Sequence, residues 1–364
     1  MKYFCMPADF KTETLDAYAE LNRTHTDAMI FETYGNITVK NRFGSGRNTS
    51  DLQKIDMEAL KIYVAHSVKH GIDFNYTINT PYMGNMEFTK EGVAEIRAFL
   101  TELYEAGIRS LTLALPGLME IANEMEPGFA IRASVISNTN TANKAMELKR
   151  LGAERVVVDE SIARDFKALK SIVSAFGGKV EIIANSVCQQ DCTYRIFHYN
   201  QIAGDSIDPT DGVSCSFYRH RCALRTHKDP STLLKAAWIR PEDLKHYVDI
   251  GIEYFKLQGR QAVATGDPVR AVRSYMEESY DGDFVELLFM FSSTKQLQLK
   301  LDNRRLDGFI TPFVENDSFC PKNCAAHSYC SRFAEKVLEG TGAEQVLANG
   351  CEFLSQNDPF KTIQ

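Results

Sequence analysis

Nine cysteines in 364 residues are the first feature with chemical consequence, because eight of them fall into two groups of four. Cys188, Cys192, Cys215 and Cys222 run CxxxC, a gap of 22 residues, then CxxxxxxC. Four thiolates suit zinc or an iron–sulfur cluster. Structural zinc usually takes tight CxxC pairs, and this set has none, so its wide, irregular spacing favours a [4Fe-4S] cluster. Zinc and thiols buried as core filler are the other readings, the last disfavoured by neighbouring Asp, Gln, Arg and His. Cys320, Cys324, Cys330 and Cys351 run CxxxCxxxxxC with a distant fourth, a candidate second metal site for which free thiols or one oxidised pair are an equal explanation. Cys5 stands alone, as a packing thiol or as part of a barrel lining.

A second set of candidates is polar. Glu32, Asn79, Asp159, Glu160, Asn185, Gln258 and Arg260 each end or follow an apolar run. Glu32 and Asp159 are candidates to move a proton, and Arg260 to grip an anionic substrate through its planar fork; pairing of Glu32 with a barrel-mouth arginine, and of Arg260 in a salt bridge at the rim, are equal readings. Asn79, Arg195 and Gln258 are candidates to bind substrate. Around the first cysteines, Arg195, His198, Arg219, His220, Arg221, Arg225, His227 and Lys228 interleave with Tyr194, Phe197, Tyr199, Phe217 and Tyr218. That mixture suits RNA, a small aromatic or anionic substrate, or simple neutralisation of a thiolate cluster.

The elements that must position these residues are legible as alternation. Strand-like runs occur at Lys2–Met6, Ala28–Glu32, Phe74–Asn79, Ser110–Leu115, Ala130–Ser137, Arg155–Asp159, Val180–Asn185 and Tyr254–Gly259. Helical spacing marks Asp56–His70, Lys90–Ala106, Thr141–Leu151 and Pro241–Ile250 between them, with Gly71, Gly107, Gly152 and Gly251 as caps. Eight βα repeats predict a (β/α)8 TIM-like barrel over residues 1–280, with Asp267–Tyr280 as its last helix. Nearly 70 residues separate the seventh and eighth strands, which predicts a cysteine-bearing insertion within 186–253, over the catalytic face of the barrel. Residues 281–364 form a C-terminal extension.

Composition bounds the rest. A chain that is 44% hydrophobic and 24% charged is an ordinary globular one, and a net charge of −7 argues against wholesale coating of nucleic acid. Nothing approaches the roughly 20 apolar residues of a membrane span, and the start MKYFCMPADF lacks a signal-peptide core, so a cytoplasmic protein without a membrane span is expected. No His-Glu-x-x-His or Gly-x-Ser-x-Gly motif is present.

Three blocks in order, SNTNTANKAMELKRLGAERVVVDESI, EIIANSVCQQDCTYRIFHYN and WIRPEDLKHYVDIGIEYFKLQGR, resemble the U32 peptidase family, the collagenase-like proteases, over roughly residues 1–270. Members of that family support oxygen-independent hydroxylation of a ubiquinone precursor ring or of RNA bases, using a [4Fe-4S] cluster. The resemblance implies such a cluster on Cys188, Cys192, Cys215 and Cys222, and a redox or group-transfer step on an aromatic or nucleobase substrate. The alternatives are a metal-dependent peptidase or hydrolase, and a non-catalytic cluster-bearing subunit working with a paralogous partner.

Overall fold

The computed structural model describes residues 1–207, 213–293, 297–340 and 343–357. Eight parallel strands close a barrel in sequence order: β1 (Lys2–Pro7), β2 (Ala28–Gly35), β3 (Asp73–Ile78), β4 (Ser110–Leu113), β5 (Ala130–Ala133), β6 (Ala153–Val157), β7 (Val180–Ile183) and β8 (Tyr254–Lys256). After β1 to β6 come α1 (Thr12–Thr24), α2 (Met57–Lys69), α3 (Lys90–Glu105), α4 (Pro116–Asn123), α5 (Ala142–Arg150) and α6 (Phe166–Phe176) in turn. The insertion after β7 holds α7 (Arg195–Ile207), α8 (Val213–Lys228), α9 (Ser231–Leu234) and α10 (Leu244–Val248), and α11 (Pro268–Met276) follows β8. The expected (β/α)8 barrel is therefore the fold.

Local chemistry explains the helices. On α3, Ile96, Phe99, Leu100 and Leu103 recur at three- and four-residue spacing and are buried against the strands. Thr89 starts it by accepting the Gly92 N–H at 3.0 Å, and Asp56 does the same for α2 by accepting from Ala59 at 2.9 Å. Such caps are worth about 1 kcal/mol each. All four cap glycines have positive φ. At Gly152 a Cβ would also sit 2.3 Å from the Asn123 side chain, so no other residue fits there. β1 and β2 extend past their apolar runs, to Pro7 and Gly35, whereas β3 to β8 end earlier than theirs. After Ala133, for example, Ser134 caps a short turn over Val135–Ser137, and the chain bends into the barrel mouth.

The C-terminal segment comprises α12 (Phe284–Leu288), β9 (Leu299–Leu301), α13 (Thr311–Glu315), α14 (Tyr329–Val337), β10 (Leu338–Gly340) and α15 (Ala343–Asn357), with β9 and β10 paired antiparallel. Phe284, Leu301, Phe309 and Phe313 belong to the same buried core as the barrel. Trp238 joins the two, its ring 5.1 Å from Phe284 and 5.4 Å from Phe309. Arg164 stacks on Trp238 and donates to the Leu234 and Ala236 carbonyls at 2.7 Å. Among the described residues no helix is long and apolar enough to cross a membrane.

Candidate functional site

The middle of the barrel is ionic where a plain aliphatic filling would be ordinary. Arg132 on β5 bonds Glu32 of β2 at 2.6 Å and Glu181 of β7 at 3.1 Å, and Arg155 of β6 bonds both carboxylates at 3.1 Å. Arg132 Nε also donates to Thr112 at 2.8 Å. Burial opposes ionisation of Glu32, but the two guanidinium groups outweigh it and hold its pKa at about 2. Glu32 is thus a carboxylate with 1% exposure paired with two guanidinium groups, the arginine pairing that is one of its two expected readings. Cys5 lies in the same layer, 3.1 Å from both Glu32 and Arg132, and burial pushes its thiol up to about 12.

Above this layer, at the carboxyl ends of the strands, the mouth is lined by Tyr34, Arg47, Asn79, Thr112, Lys256 and Arg260 among others. Lys256, the last residue of β8, lies 3.6 Å over the Tyr34 ring, and burial with the nearby Arg132 charge lowers its pKa to about 8. Arg260 is buried and donates to Asn36 Oδ1; burial and the neighbouring Arg47 charge bring it down to about 10. Three cations thus face one small opening with no carboxylate among its lining residues. Asn79 accepts the Gly46 N–H at 3.0 Å, and Gln258 is held by Asn185, which donates to its carbonyl at 2.8 Å and accepts its N–H at 2.7 Å. Lys256 and Arg47 were not among the sequence candidates. The signal for Lys256 was a lone cation at the end of an apolar strand.

A larger cavity of about 940 Å³ continues from the mouth through Arg47, Tyr199, Gln258 and Gly259, under α7 and α8. The loop after β2 closes one side: Ser45 N–H donates to Ser206 at 2.8 Å, and Asp51 pairs with Arg219 at 3.2 Å. Cys188, Cys192 and Cys222 all line this cavity. Cys215 lies on α8 seven residues before Cys222, and its side chain is outside the described residues. Burial raises the Cys188 thiol, with Glu160 adding to the effect and Arg195 opposing it. Burial likewise brings Cys222 to about 11, with Cys192 contributing. Cys188 and Cys222 are thus held toward the protonated thiol, and a bound cation would favour their thiolates.

Beneath these cysteines lies a polar bracket. Ser186 donates to Glu160 at 2.7 Å and accepts the Cys188 N–H at 3.2 Å. Arg195 pairs with Asp159 at 3.0 Å and Glu160 at 3.5 Å, so it ties α7 to the end of β6 instead of pointing free into the cavity. His198, on the cavity wall, is driven by burial and by Arg47 and Arg219 to a pKa of about 4 and is neutral. Several expected nucleic-acid contacts are engaged internally: Arg221 lies 4.8 Å over Tyr194, and His220 stacks on Phe353 at 4.2 Å.

The second cysteine group divides. Burial raises Cys330, and Cys320 and Cys324 are close enough to raise it further, beside the buried Arg164. Cys351 instead sits on α15, which packs against α8 through Gly350 and Leu224. The structure brings together three residues of this expected quartet and puts Cys351 beside the insertion.

Fold and site define a class: a (β/α)8 barrel whose mouth is cationic and whose β7–β8 insertion roofs it with cysteines. Residues 40–319 match the family model described as peptidase family U32. An uncharacterized protease of Methanocaldococcus jannaschii is 30% identical over 298 residues, covering 81% of this chain and 86% of that protein. The solved structure of a U32 peptidase is similar in fold, with a TM-score of 0.51 at 16% identity over 71% of this chain and 93% of that one. The chain belongs to peptidase family U32.

Proposed function

We propose that this chain is an iron–sulfur enzyme performing oxygen-independent hydroxylation, or a related redox or group-transfer step, on an aromatic or nucleobase substrate. One observation carries the reading: Cys188, Cys192 and Cys222 line a cavity continuous with a barrel mouth that presents three cations. The donor set fits a [4Fe-4S] cluster, held by those three and Cys215. Burial keeps the Cys188 thiol protonated until a metal displaces its proton, and Arg225 on the same cavity wall would offset part of the charge of four thiolates. When bound, such a cluster supplies one-electron chemistry beside the substrate.

The protein's own residues would do the remainder. Arg47 and Arg260 bind an anionic group at the mouth, and Asn79 and Gln258 orient the ring. Lys256, with a pKa near 8, is better suited to move a proton at its Nζ than Glu32, and Asp159 is committed to Arg195 and to the Ser161 N–H. Neutral His198 and Tyr199 wall the cavity and exclude water. A second metal on Cys320, Cys324 and Cys330 is part of the proposal. Exposed Tyr194, Ile196 and Phe197 at the start of the insertion support a paralogous partner subunit docking there.

The test is an oxygen-free incubation of the protein with RNA or with aromatic acids and an added oxygen-atom donor, which is reduced by two electrons as the ring C–H becomes C–OH, read by mass spectrometry for gain of one oxygen atom. Product formation that depends on Arg260 supports the proposal; none across both substrate classes refutes it. The second reading, a metal-dependent peptidase or hydrolase, draws on the family's name and on the description of the archaeal relative as a protease. It requires zinc in place of iron and hydrolysis without reductant. Cys5, protonated and shut inside the barrel, is not placed to serve as the nucleophile of a cysteine peptidase.

A further inference from the structure

Two imidazoles and a carboxylate converge on the outer helical layer, away from the mouth. His66 and His70 are one turn apart at the end of α2, and Asp16 lies on the neighbouring α1. Both Nε2 atoms aim at the same oxygen, Asp16 Oδ1, at 2.7 and 2.8 Å, and lie 3.2 Å from each other. Among the described residues this is the one set of three His, Cys, Asp or Glu ligand atoms that lie within 4.8 Å of one another.

From this geometry we infer a divalent transition-metal site of the zinc class, formed by Asp16, His66 and His70, that fastens α1 to α2. A zinc ion holds nitrogen and oxygen ligands at about 2.0–2.1 Å, which puts neighbouring ligands of a tetrahedral site about 3.3 Å apart. Asp16 Oδ1 need draw back only about half an ångström from the two nitrogens, which are already spaced to admit one. Two imidazoles select zinc, copper or nickel over magnesium or calcium. An i, i+4 pair on one helix face supplies two ligands that are already aligned. The side chains are 56%, 28% and 30% exposed for Asp16, His66 and His70, so water completes the coordination and the ion enters from solvent. The end of α2 leads through Gly71 to the start of β3, the face opposite the mouth, where a cross-link acts on stability and not on turnover. This site is independent of the cysteines and of the function proposed above.

Zinc binding to the intact protein, measured calorimetrically in wild type, H66Q, H70Q and C188S, tests the site. Glutamine retains an N–H donor toward Asp16, so the fold is kept while the ligand is lost, and matching circular dichroism melts without metal verify this. The expected result is one zinc per chain lost, or its affinity weakened about tenfold or more, in both histidine variants and retained in C188S. In zinc-soaked crystals an anomalous peak then lies between the three side chains. Unchanged zinc stoichiometry and affinity in H66Q and H70Q, or no such peak, overturns the inference.

Discussion

Replacing Glu32 with Gln distinguishes structural charge from proton transfer at the centre of the barrel. The carboxyl is fully buried, and against desolvation Arg132 and Arg155 pull its pKa from 4.5 to about 2. At about 1.4 kcal/mol per pH unit of displacement, ionised Glu32 stabilises the fold by roughly 3 kcal/mol. The direct cost of removing one partner from a buried ion network, about 3–5 kcal/mol, agrees. Because the folded pKa is depressed, this contribution is complete above pH 4.5 and is lost as the pH falls from there toward about 2. Urea unfolding of wild type and E32Q at neutral pH should therefore differ by about 3 kcal/mol, with the gap constant down to the ordinary carboxylate range and closing below it. Turnover per folded molecule should be largely kept. If E32Q unfolds within about 1 kcal/mol of wild type yet loses turnover, the structural assignment is refuted and Glu32 is a proton carrier.

Lys256→Met should act in the opposite direction on stability. Lys256 is lowered from 10.5 to about 8, so burying its charge costs up to about 3 kcal/mol below pH 8, relieved as the pH rises toward 10.5. K256M should raise the urea midpoint at pH 7 while weakening binding of an anionic substrate, and wild-type anion affinity should fall as the pH passes about 8; a destabilised K256M contradicts this. Arg195→Met strands Asp159 and Glu160, each under 5% exposed, and should cost about 3 kcal/mol and open the insertion to thermolysin. Wild-type proteolysis kinetics in R195M would show that α7 is held by other means.

The barrel was readable because its punctuation is local. Gly71, Gly107, Gly152 and Gly251 each end a helix in the conformation that only glycine takes easily, and all four were placed correctly from sequence. The insertion was readable from chain length alone, and three of its cysteines do share one cavity. Roles that depend on packing were not readable. Glu32 reads equally as a proton carrier or as the partner of an arginine because the residues that decide it, Arg132 and Arg155, lie 100 and 123 residues away in sequence, on β5 and β6. Arg195 looked like a substrate ligand because nothing local reveals its pairing with Asp159. Cys351 was grouped with Cys320, Cys324 and Cys330 by order in the chain, yet where α15 docks is decided by its face against α8.

The most direct test of the central claim is metal analysis of protein purified without oxygen, with iron, sulfide and zinc counted and the reduced EPR spectrum recorded for wild type and C188S. The account predicts about four irons and matching sulfide per chain, bleached by air and lost in C188S. A colourless protein holding one zinc or no metal, with C188S unchanged, would contradict it.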